Sequence, residues 1–191
     1  MDKLQLENAL RKFYTELPLI NEKIERISEF DKGVTYKNFV LHGSAAFVIY
    51  NKLEQCKDVD LLTDWFCIDR FEKALRQTNK ITDKTPKAVR SNLADFFVPA
   101  RFLFKFGEDE YDLFAYEFNK FVRVTEENVS NEINVDGINH PVLIRPYDVM
   151  IDDYKKFIRM QKAGEFAQRD AKRVAIHAIK YEERLKIIGE I

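Results

Sequence analysis

The chain has 191 residues, 46% hydrophobic and 33% charged, with 16 phenylalanines and a formal net charge of −1. These values describe a folded globular chain, one domain or one domain with a lobe, and exclude a disordered segment. They also exclude a surface given over wholly to nucleic acid, and no run approaches the ~20 apolar residues of a membrane span, so a cytoplasmic location is expected.

Leu6, Leu10, Phe13, Leu17, Ile20, Ile24 and Ile27 recur at alternating steps of four and three, the stripe of an amphipathic helix. Pro18 lacks the amide hydrogen that a helix interior needs, so the stripe reads as two short helices or one kinked helix, ending near Asp31, Lys32 and Gly33. A strand is expected at about 38–41, then Gly43-Ser44, a helix carrying Ala45, Ala46, Val48 and Ile49, and a second strand over 59–62. Residues 69–79 read as another helix. Residues 81–92 are polar, with one proline and no clean period, and read as a loop or a frayed strand.

Alternation over 101–106, turn chemistry over 107–110 and resumed alternation over 111–116 predict a β-hairpin with Asp112 near the start of its second arm. Asp109 is the rival acid but falls in the turn. A second hairpin is expected, 132–135 with 140–144 around Asp136-Gly137. Arg145-Pro146 then opens a helix with Val149, Met150, Tyr154, Phe157 and Ile158 on its apolar side. After Gly164, the stripe Ala167, Ala171, Val174, Ala178, Tyr181, Leu185 and Ile188 marks a long last helix. The pattern as a whole predicts an α+β fold: a mixed β-sheet flanked by helices, with N-terminal helices and a core over 1–145 and a C-terminal helical segment over 146–191.

Chemistry concentrates between Val40 and Thr63. Gly43 and Ser44 sit where a buried strand turns into a helix, and such a turn offers free backbone N–H groups to an anion while glycine permits close approach. Thirteen residues, Ala45 through Lys57, separate this turn from Asp58-Val59-Asp60. Strand side chains alternate, so Asp58 and Asp60 share one face while Val59 and Leu61 point into the core. Paired carboxylates beside a phosphate-gripping turn suit Mg²⁺, which takes carboxylate and phosphate oxygens.

The remaining candidates read more simply. Lys57 reads as a surface charge or as a triphosphate contact, His42 as a satisfied structural histidine, and His140 and His177 lack metal-ligand spacing. Cys56 and Cys67 are too few for a zinc site or a disulfide framework, so reduced thiols are expected. P-loop and dinucleotide-binding glycine motifs are absent. Between 154 and 186 there are ten basic residues against four acidic ones, which a solvated helix face or a triphosphate- or RNA-binding surface would each explain.

The run of an apolar residue, Gly-Ser, the spacer and Asp-apolar-Asp-apolar resembles the signature of the DNA polymerase β-like nucleotidyltransferase superfamily. Tyr111-Asp112-Leu113-Phe114 matches the third carboxylate strand of that family. The resemblance spans roughly 39–116 and implies Asp58, Asp60 and Asp112 as catalytic and metal-binding residues, two Mg²⁺ ions, an NTP substrate and Gly43 with Ser44 at its phosphates. The second half, with its Arg-Pro-x-Asp helix opening, resembles the AbiEii-type branch, many members of which are toxins of toxin–antitoxin pairs. That resemblance implies Lys155 and Asp170 as further nucleotide-binding residues, although Arg173 stands where a second aspartate is common.

The resemblance therefore implies transfer of an NMP from an NTP to a hydroxyl on an RNA end, a protein or a small molecule, an antibiotic included. It also implies an antitoxin partner if the chain is a toxin. The competing expectation is the same fold without turnover, serving as a binding or regulatory module.

Overall fold

The computed structural model describes residues 1–24, 33–78, 82–83, 100–116, 130–166 and 171–191. Helix α1 (Lys3–Glu22) opens on a reciprocal cap: the Asp2 carboxylate accepts from the Gln5 N–H, and the Gln5 side chain accepts from the Asp2 N–H. The helix continues through Pro18 as a single element. Proline costs it one hydrogen bond, but Leu6, Leu10, Phe13, Leu17 and Ile20 bury a continuous apolar face, and that packing holds the helix across the defect. It ends at Glu22, ahead of the predicted stop, and Ile27, Asp31 and Lys32 lie outside the described residues.

A 3₁₀ turn (Tyr36–Asn38) leads into β1 (Val40–Leu41), α2 (Gly43–Ile49), β2 (Val59–Asp64) and α3 (Trp65–Gln77). The third helix starts ahead of the predicted 69 because Asp64 caps it, accepting from the Cys67 N–H at 2.6 Å. Then come β3 (Thr82–Asp83), β4 (Ala100–Phe106) and β5 (Asp109–Tyr116). The two short residues of β3 fall in the stretch that sequence left unassigned, and they pair with β4.

The hairpin turn is tighter than predicted. Gly107, at φ +61°, and Glu108 make it, which places Asp109 on β5 in a 3.0 Å ion pair with Lys12. After β6 (Asn131–Ile133) and β7 (Val142–Ile144) come α4 (Tyr147–Lys162) and α5 (Ala171–Ile187). Asp136-Gly137 does turn the chain, with the Ile138 N–H donating to the Val135 carbonyl at 3.0 Å, but the β6–β7 ladder stops at Ile133 and Val142. Pro146 is the cap of α4 rather than its first residue. Ala167 lies outside the described residues.

The seven strands of the described residues form one mixed sheet in the order β3-β4-β5-β2-β1-β7-β6, parallel between β2 and β5 and between β1 and β7. This is the expected α+β arrangement of a mixed sheet with flanking helices. One face, with Leu41, Val59, Leu61, Phe102, Phe104, Tyr111 and Leu113, shares a core with residues of α1 to α4. Phe13 of α1 lies at its centre, 5.0 Å from Phe39, 5.8 Å from Phe71 and 5.7 Å from Tyr111 between ring centroids. The opposite face carries a small cluster of Val40, Leu62 and Leu143 with Phe114, and the strand period delivers Asp60 and Asp112 to that side.

Helices α4 and α5 pack on each other, Phe157 against Val174 and Ala178, and Met150, Ile151, Tyr154, Ile158 and Leu185 join the main core. Among the described residues no helix is long and apolar enough to cross a membrane.

Replacing Phe13 with alanine empties the meeting point of α1, α3 and the sheet. The expected loss is about 3–5 kcal/mol, read as a lower urea midpoint with an unchanged slope.

Candidate metal centre

The turn between β1 and α2 is built around Asp60. His42 caps α2 with extended backbone, and Gly43 follows at φ +60°, a conformation open to glycine at little cost. A Cβ at residue 43 would stand 2.4 Å from Asp60 Oδ2, so the position also requires the missing side chain. The Ser44 N–H and the Ser44 hydroxyl each donate to that same Oδ2 at 3.1 Å. The His42 N–H donates to the Asp60 carbonyl at 2.9 Å. The turn expected to meet a phosphate thus holds one carboxylate of the folded chain in place.

Parallel pairing of β2 with β5 sets Asp60 directly opposite Asp112, and Asp58 precedes Asp60 by two residues on the same face. The three carboxylates each bring an oxygen within 4.8 Å of the others. Asp112 is 1% exposed and Asp60 9%. Burial, and after it the negative charges of Asp58 and Asp112, pushes the Asp60 carboxyl up to about 7. A set of three oxygen donors carrying mutual repulsion fits a hard divalent cation, which would relieve that repulsion on binding.

One cation acts on this cluster and a second on the turn beside it. Arg184 of α5 acts on Asp60 through space, lowering its pKa, and donates to the Tyr154 hydroxyl at 2.9 Å. In the sequence Arg184 is one of the ten basic residues between 154 and 186, and nothing there singles it out, because its neighbour in space is remote in the chain. Arg145 is buried and donates twice to Asp153, at 3.1 and 2.6 Å. His42 faces both arginines; burial first, then those charges, lower it to about 3, so it is a neutral imidazole. Among the described residues its Nδ1 has no hydrogen-bond partner, which departs from the expected satisfied histidine.

Lys155 is on α4 in an ion pair with Glu190 at 3.5 Å, and Lys57 is 3.9 Å from Glu110. Asp170 lies outside the described residues. His140 stacks on Tyr36 with centroids 4.2 Å apart. Cys56 and Cys67 are free and buried, and burial raises both thiols.

No family model and no curated protein matches the chain. Among solved structures it is similar to a Thermotoga maritima protein provisionally assigned as a nucleotidyltransferase, at 15% identity and a TM-score of 0.46, over 81% of this chain and 89% of that one. A likeness this distant carries no argument about chemistry.

Two stability measurements test the geometry. Gly43→Ala should melt well below Gly164→Ala: both positions have positive φ, at +60° and +70°, but among the described residues nothing lies within 4 Å of a Cβ at 164. Backbone strain of about 1 kcal/mol is common to the two, so equal losses would refute the clash with Asp60.

Asp60 also makes stability depend on pH. Its folded pKa of about 7 lies above the reference value of 3.8, so its contribution is full below about 4 and is lost as pH rises through 7. In EDTA, Asp60→Asn should therefore be more stable than wild type at pH 8 by about 1–2 kcal/mol, roughly 2–8 °C, with the gap closing toward pH 4. A gap of the same size at both pH values would contradict this assignment.

Proposed function

We propose that the chain is a metal-dependent nucleotidyltransferase that moves an NMP from an NTP to a hydroxyl acceptor. The observation that carries this reading is the cluster of Asp58, Asp60 and Asp112, whose oxygens converge within 4.8 Å beside the Gly-Ser turn. In the reaction the acceptor oxygen bonds to the α-phosphorus, the bond from that phosphorus to its bridging oxygen breaks, and pyrophosphate leaves.

Asp58, Asp60 and Asp112 would hold two Mg²⁺ ions, which when bound neutralise the triphosphate and polarise the acceptor oxygen. The chain's own contribution is positional. Ser44 fixes Asp60 through two donors, so the carboxylate is oriented before any ligand arrives. Asp112 would take the acceptor proton on a carboxylate oxygen. The space left by Gly43 is taken by Asp60 Oδ2, and the Ser44 N–H is already committed to that oxygen, so phosphate contacts would fall to neighbouring N–H groups of the turn and to a cation.

The AbiEii-type resemblance extends this reading to a toxin whose acceptor is an RNA end or a protein. Induced expression should then arrest growth of the host cell with the wild-type chain and not with Asp60→Asn.

The direct test is incubation with labelled NTPs, Mg²⁺ and cell extract. Wild type should transfer label to a component of the extract, and Asp60→Asn should lower the rate by at least about a hundredfold. Absence of transfer by either protein would favour a binding module of the same fold and end the enzymatic reading.

A further inference from the structure

A triphosphate entering beside three carboxylates meets like charge, so the approach needs a cation that is not already neutralised. Arg145 is committed to Asp153 and Lys155 to Glu190, while Lys57 is an exposed surface charge 3.9 Å from Glu110. Arg184 differs. Among the described residues its guanidinium makes no ion pair, and its hydrogen bond goes to a neutral phenol, Tyr154.

That phenol is well anchored. Tyr154 is 3% exposed, stacks on Tyr181 with centroids 4.0 Å apart, and meets Phe47 edge-on at 5.7 Å. Phe47 belongs to α2, one turn beyond Ser44, which holds Asp60. A short chain of contacts, from Arg184 through Tyr154 and Phe47, therefore ties the guanidinium on α5 to the turn that orients the acid.

We propose that Arg184 is the phosphate-binding cation of the site, its guanidinium forked onto oxygens of a triphosphate held over Asp58, Asp60 and Asp112, with Tyr154 as its positioning residue. This rests on the metal-dependent reading above and names a residue of α5 that the sequence resemblance does not. The chemistry suits arginine, whose planar donors match two phosphate oxygens at once and whose charge does not titrate.

Isothermal titration calorimetry of the full chain tests it, with Mn²⁺ alone and then with inorganic triphosphate at saturating Mn²⁺. Arg184→Gln should weaken triphosphate binding roughly ten- to a hundredfold. It should leave Mn²⁺ affinity unchanged or tighten it, because a positive charge beside Asp60 has been removed. A residue that merely braces the fold would instead weaken both ligands together. Tyr154→Phe, which frees the guanidinium without removing it, should weaken triphosphate alone by a few-fold.

Arg184→Lys keeps the charge but not the fork and should fall between wild type and Arg184→Gln; it takes the place of Arg184→Gln should that variant not fold. Triphosphate affinity equal to wild type in the folded variant, or parallel loss of both ligands, overturns the proposal and leaves the metal-dependent reading intact. A wild-type chain that binds neither Mn²⁺ nor triphosphate overturns both.

Discussion

Asp60 takes two hydrogen bonds from Ser44 at a turn that has no room for a side chain at residue 43, and the arrangement of the other acids follows from that contact. It accounts for the length of the spacer. Helix α2 ends at Ile49, Asn51 adopts φ +56° as the chain leaves the helix, and the Lys52 N–H donates back to the Phe47 carbonyl at 2.8 Å. The chain then has just enough length to return β2 antiparallel to β1, with the His42 N–H on the Asp60 carbonyl. A longer helix or a looser return would carry Asp60 past the serine.

The sheet divides two demands between its faces. Its helix-covered side is aromatic and aliphatic, with Phe13, Phe71, Phe104 and Tyr111 packed ring to ring, and Tyr111 also donates to the Ala9 carbonyl of α1 at 2.9 Å. The other side collects negative charge that burial makes expensive, and Asp60 registers this as a raised pKa. The apolar side supplies the stability that lets three acids stand together on the other, so the site holds mutual repulsion while Ser44 fixes Asp60 in place.

Much of this was legible in the chain. The Gly-Ser turn, the Asp-x-Asp strand and Asp112 could be placed because each rests on a short-range rule: glycine at a turn, alternation along a strand, hairpin chemistry at 107–110. Pro18 misled because its local penalty is real but smaller than the burial of the residues around it. Asp109 was assigned to the turn because a two-residue connection through Gly107-Glu108 and a longer one look alike in sequence. The role of Gly43 and Ser44 toward Asp60, and the approach of Arg184, depend on contacts between residues far apart in the chain, and no periodicity encodes those.

Pairing of Asp60 with Asp112 ties the chemistry to correct folding in an all-or-none way. Were β5 to slip by one residue along β2, Tyr111 would swing out of the apolar interior and Asp112 into it, at a cost the fold could not sustain. Evolution can therefore vary the acids one by one, but mispairing cannot produce a stable molecule with a half-formed centre. A chain that has buried Tyr111 has, by the same act, delivered its third acid.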